Sequence, residues 1–90
     1  MAHTKIIETA LPEGKAVYTS ELLTSKFEEL VASGDLVITN ETLENGNKKS
    51  THVWKDDAAY ASFISWLTSS GELARMQQYH SDNGINPIVS

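Results

Sequence analysis

The run "DLVITNETLENGNKKSTHVWKD" places Asn45-Gly46 between two stretches of alternating apolar and polar residues. A two-residue turn of type I′ needs positive φ at both central positions, and Asn-Gly meets that need better than almost any other pair. The chain is therefore predicted to fold back at Asn45-Gly46 into an antiparallel hairpin. A register pivoting there pairs Ile38 with Val53, Val37 with Trp54, and Thr39 with His52. Leu36, Ile38 and Val53 then lie on one face of the hairpin base, and Val37 and Trp54 on the other, while the polar tip from Thr42 to Lys49 projects into solvent. A sheet with one face under helices and the other in water shows clean alternation; apolar residues on both faces imply that the second face also meets something, with another subunit the simplest candidate.

The remaining elements are built around this hairpin. "TKIIETAL" is rich in β-branched residues, is closed by Pro12 and Gly14, and reads as a strand. "KAVYT" fits either an extension of that strand beyond a turn or a loop. In "TSELLTSKFEELVASGD", Leu23, Phe27, Leu30 and Val31 share one helical face, Ser25 and Glu28 have the spacing of a capping box, Ser20 offers an earlier cap, and Gly34 stands where a helix ends. After the hairpin, Asp56 or Asp57 caps a second helix whose stripe is Tyr60, Phe63, Ile64 and Leu67, with Trp66 off the stripe toward an edge or interface. "TSSGE" breaks the rhythm; Ser69 and Glu72 repeat the capping-box spacing before a third, shorter helix carrying Leu73 and Met76. Ile88 and Val89 suit a short fourth strand. The order predicts one α+β domain over residues 1–90, a ferredoxin-like βαββα(α)β sandwich with an antiparallel sheet and helices on one face.

Composition excludes several chemistries. The 90 residues contain no cysteine, so disulfides, thiolate metal sites and cysteine nucleophiles are out of reach, and the redox compartment is left undecided. Twelve acidic side chains face seven basic ones, for a net charge of −5, and only Lys48 and Lys49 adjoin, which argues against a nucleic-acid partner. With no apolar run near eighteen residues and no apolar, basic-flanked leader, the expectation is a cytoplasmic protein with no membrane partner.

The stretch "THVWKDDAAYASFISWL" resembles the segment of antibiotic-biosynthesis-monooxygenase-like and related dimeric α+β barrel proteins in which a strand ending in an aromatic passes through acidic residues into a helix with an aromatic stripe. The likeness covers residues 51–67 directly and the rest only as element order. It implies a homodimer joined through open sheet faces. Several such proteins oxidise or degrade polycyclic, quinone-like or haem substrates, some without a cofactor, and others have no established activity. No catalytic residue of that family matches a position here, and the early Pro12 and Gly14 depart from its pattern.

His52 and Trp54, two apart on one strand face, are the first candidates for a ligand site, lining a pocket between sheet and helices with an imidazole beside an aromatic molecule. Packing of Trp54 with a partly exposed histidine is the plainer reading of the same pair. Asn40, on the opposite face from His52, is a candidate for orienting a polar ligand. Adjacent Asp56 and Asp57 point in different directions at a helix start and serve as caps rather than paired carboxylates. His3, His52 and His80 lack ligand spacing, so neither metal nor cofactor is expected. The resulting expectation is a non-enzymatic interaction or regulatory module. The alternative is a monooxygenase-like enzyme or small-ligand carrier holding a flat aromatic molecule between sheet and helices, which requires a cavity at Trp54.

Overall fold

The computed structural model describes residues 1–90 and orders them as β1 (His3–Thr9), α1 (Glu21–Ala32), β2 (Leu36–Thr42), β3 (Lys48–Trp54), α2 (Asp57–Ser69), α3 (Glu72–Asn83) and β4 (Ile88–Val89). The strands form one antiparallel sheet in the order β2-β3-β1-β4. Lys15 to Thr19 are loop, and β4 adds a short edge by pairing Val89 with Ile7 and Ile88 with Glu8. No helix is long and apolar enough to cross a membrane.

The hairpin forms, with a register one residue from the predicted one. Leu36 pairs with Trp54, Val37 with Val53 and Ile38 with His52. The cause is the turn: Gly46 has φ +88°, whereas Asn45 does not have positive φ. Leu43 accepts from the Gly46 amide at 2.9 Å and donates to the Asn47 carbonyl at 2.8 Å, which makes Glu44-Asn45-Gly46 a three-residue loop ending on a left-handed glycine. One added loop residue shifts every pair by one and exchanges faces. Leu36, Ile38 and Asn40 therefore share a face with Trp54, His52 and Ser50, while Val37, Thr39 and Glu41 share the other with Val53, Thr51 and Lys49.

All three helices lie on the Leu36–Trp54 side. Leu23 from α1 and Phe63 and Leu67 from α2 converge on Leu36 and Trp54 to form the buried cluster, with Leu73 and Met76 of α3 packed against it. The α1 stripe is narrower than its periodicity implies: Leu23 is buried, Phe27 and Leu30 are half-buried, and Val31 is 48% exposed at the helix margin. Ser20, rather than Ser25, caps α1 by accepting from the Leu23 amide at 3.1 Å. At the other end Gly34, φ +83°, turns the chain toward β2 while its amide and that of Asp35 take up the Val31 and Leu30 carbonyls. Asp56 caps α2 through the Ala59 amide at 2.8 Å, and Asp57 turns instead to His3 Nδ1, 2.8 Å away. Trp66 lies at the edge of α2, stacked on Phe63 and covered by the Lys26 ammonium.

The Ser69–Glu72 capping box does not form. Ser69 donates to the Trp66 carbonyl, and α3 starts at Gly71 without a side-chain cap. Glu72 points inward and has no exposed surface. Its carboxylate accepts from the Tyr18 hydroxyl at 2.7 Å, from Ser20 Oγ, and from Arg75 Nε at 2.9 Å. Tyr79 adds a hydroxyl bond to the Ala16 carbonyl at 2.6 Å, so three hydrogen bonds tie the segment before α1 to α3. Hydrogen bonds from Ser20 and Tyr18, followed by the Arg75 charge, hold Glu72 down at about 2.

Two outcomes are expected from this fold. Gly46→Val forces a branched residue into positive φ and should cost about 1–3 kcal/mol, whereas Asn45→Ala, which loses one exposed side-chain bond to the Asn47 amide, should cost about 0.5–1.5 kcal/mol. Chemical denaturation separates the two. A carboxylate whose pKa is depressed in the folded state adds stability above its unfolded pKa and loses it as pH falls through the folded one. The melting-temperature advantage of the parent over Glu72→Gln should accordingly hold above pH 4.5 and shrink toward pH 2. Thermal melts of both chains at matched pH values measure that difference.

Candidate functional site

Strand alternation brings Asn40, Ser50 and His52 onto the helix side of the sheet, with Asn40 paired to Ser50 and His52 two residues beyond it. Asn40 was expected across the sheet from His52; the three-residue loop puts both on one face. The Ser50 hydroxyl donates to Asn40 Oδ1 and lies 3.3 Å from His52 Nε2. Burial lowers the His52 pKa, since a cation is poorly solvated there. No carboxylate is hydrogen-bonded to His52. Asn40, Ser50 and His52 thus form a string of side chains within hydrogen-bonding distance on the helix side of the sheet.

Trp54 is 1% exposed and enclosed by aromatic rings: Phe63 at 4.9 Å, Tyr60 at 5.8 Å and His52 at 6.5 Å between centroids. Its indole Nε1 and the His3 Nε2 have no hydrogen-bond partner within the protein, and both atoms are sealed from solvent. Phe27 stacks on Phe63 at 5.4 Å and meets His52 edge-on at 5.5 Å. Aromatic packing therefore fills the space around Trp54.

The concavity lies farther out. A groove of about 490 Å³, open to solvent, runs between α1 and β2, lined by Thr24, Phe27, Glu28, Val31 and Ala32 from the helix and Ile38 and Asn40 from the strand. The helix residues follow i, i+3, i+4, i+7, i+8 spacing, one continuous face. Of the three candidates from sequence, Asn40 lines this groove, His52 stands behind Phe27, and Trp54 is in the core. Sequence reasoning missed Ser50, although its i, i+2 relation to His52 on a strand places it on the same face. It placed Phe27 and Val31 on one helical face with Leu23 and Leu30, and periodicity alone does not distinguish the middle of such a stripe from its margin. No group of three or more histidine or acidic side chains is arranged to hold a metal ion.

Because Trp54 is packed on all sides, Trp54→Ala should cost about 3–5 kcal/mol, against about 0.5–2 kcal/mol for loss of the cap in Asp56→Ala. Urea denaturation of both variants tests the ranking; equal or reversed losses would show that Trp54 lies in a loosely filled site.

No protein-family model, curated protein or solved structure matches this chain.

Proposed function

We propose that the chain is a non-enzymatic interaction module that acts as a homodimer through the open face of its sheet. One observation carries the proposal: the face turned away from the helices is built of Val37, Val53, Thr39, Thr51, Thr4 and Ile6, with Ile88 at its edge, and Val37 is 60% and Ile88 70% exposed. The valine and isoleucine side chains and the threonine methyl groups make a largely apolar band, and covering it removes apolar surface from water at about 25 cal/mol per Å². The band is bracketed by two ion pairs, Glu41–Lys49 at 3.6 Å between β2 and β3 and Asp35–Lys55 at 2.8 Å between the residue before β2 and the residue after β3, each with the acid on the β2 side and the base on the β3 side. A two-fold axis parallel to the strands and between β2 and β3 would set the acids of one copy over the bases of the other. That self-complementarity favours a second copy as the occupant.

The reading extends to the fold family. A sheet in the order β2-β3-β1-β4, with β1 and β3 in the middle and helices on one side, agrees with a ferredoxin-like βαββα(α)β arrangement, and homodimerisation through the open face is what the resemblance of residues 51–67 to the monooxygenase-like dimeric α+β barrels implies. The enzymatic or carrier alternative needs room beside Trp54, where Phe63, Tyr60 and His52 already pack.

Sedimentation equilibrium at micromolar concentration should return about twice the chain mass of 9.9 kDa for the parent. Val37→Lys, at an exposed strand position that leaves the core untouched, should return the mass of one chain under the same conditions. A parent that sediments as one chain, or a Val37→Lys variant that still sediments as two, contradicts the proposal.

A further inference from the structure

The free edge of β2 supports an inference that does not depend on the open sheet face. β2 is an outer strand of the sheet, and its seven residues contain neither proline nor lysine, the usual means of blunting an edge. Asp35 accepts from the Lys55 amide and Leu43 donates to the Asn47 carbonyl, so odd-numbered residues of β2 bond to β3. Antiparallel geometry then directs the N–H and C=O groups of Leu36, Ile38, Asn40 and Thr42 away from the sheet. The groove between β2 and α1 lies along this same edge, and its lining changes character along its length: Val31, Phe27 and Ile38 are apolar, whereas Thr24, Glu28 and Asn40 are polar.

We infer that the β2 edge and the α1–β2 groove together form a binding site for an extended peptide that adds as an antiparallel fifth strand. Main-chain bonds to Ile38 and Asn40 supply the anchoring, and the groove selects side chains at alternate positions. The peptide residue opposite Ile38 turns an aliphatic side chain toward Phe27 and Val31. The residue two positions earlier in the peptide, opposite Asn40, reaches Thr24 and Glu28. Glu28 is the one charged residue lining the groove, and the whole chain carries −5, so a lysine or arginine is the complementary choice there. The recognised pattern is a basic residue, any residue, then an aliphatic residue.

The probe is acetyl-Thr-Lys-Thr-Val-Thr-amide titrated into the isotopically labelled full chain and followed by amide NMR. Saturable shifts are expected in β2 and in the groove face of α1. Amide exchange should slow at Ile38 and Asn40, and stay as it was at Val37 and Thr39, which already bond to β3. N-methylation of the peptide valine removes one main-chain donor and should weaken binding about tenfold. Glu28→Lys, at an exposed rim position, should weaken it about three- to fivefold, the size of a surface ion pair. Val37→Lys should bind the peptide as the parent does, so loss of the sheet-face contact and loss of this site are separately visible. Absence of shifts at millimolar peptide, or equal binding of the N-methylated peptide, overturns the inference. So does protection of Ile38 and Asn40 that rises with protein concentration and needs no peptide, because the edge would then pair with a second copy.

Discussion

The contact between Trp54 and Phe63, 4.9 Å between ring centroids, joins the end of the hairpin to the helix that follows it, and most of the structure is organised around it. Only eight residues are buried, and the main apolar cluster holds five, so no second core stands behind this one. Trp54 reaches Phe63 because Asp56 starts α2 two residues after the strand ends and aims the Tyr60–Phe63–Leu67 face back at the sheet. Leu36 occupies the cross-strand position beside Trp54 and receives Leu23 from α1, so both helices are docked by one pair of neighbouring strand residues. The rest of the chain is tied down by polar contacts at the margin, chiefly the inward carboxylate of Glu72.

Much of this was legible in the sequence, and what was not has identifiable causes. The helices, the strands and an aspartate cap at Asp56 or Asp57 follow from local patterns, which are decided by neighbours within a turn or two. Register was not, because Asn-Gly suits both a two-residue loop and the end of a three-residue loop; the left-handed conformation at Gly46 alone selects the second, and the choice moves Asn40 to the other face. The inward turn of Glu72 was invisible for a different reason. Its partners Tyr18 and Ser20 lie more than fifty residues away, and the local spacing to Ser69 advertised a cap that never forms. Val31 shows the same limit on an apolar stripe, whose period gives direction but not width.

The corrected register also changes what the candidate residues mean. Placing Trp54 with Leu36 under the helices turns the aromatic pair of the sequence into core plus a half-buried histidine, and leaves Val37 and Val53 on the open side with Thr39, Thr51, Thr4 and Ile6. Asn40, Ser50 and His52 line up as a polar string on the helix side of the sheet. Chemistry is thereby concentrated on surfaces rather than in an interior: an apolar sheet face, and a strand edge with a groove beside it. Both belong to the sheet that the Trp54 seam joins to α2.

The central claim is that the open sheet face is the contact surface, and the most direct measurement is an isotope-filtered NOE experiment on a mixture of labelled and unlabelled chains. Methyl contacts between Val37 of one copy and Val53 of the other are predicted. Intermolecular contacts confined to other surfaces, or none at concentrations where the sheet face would be covered, would contradict it.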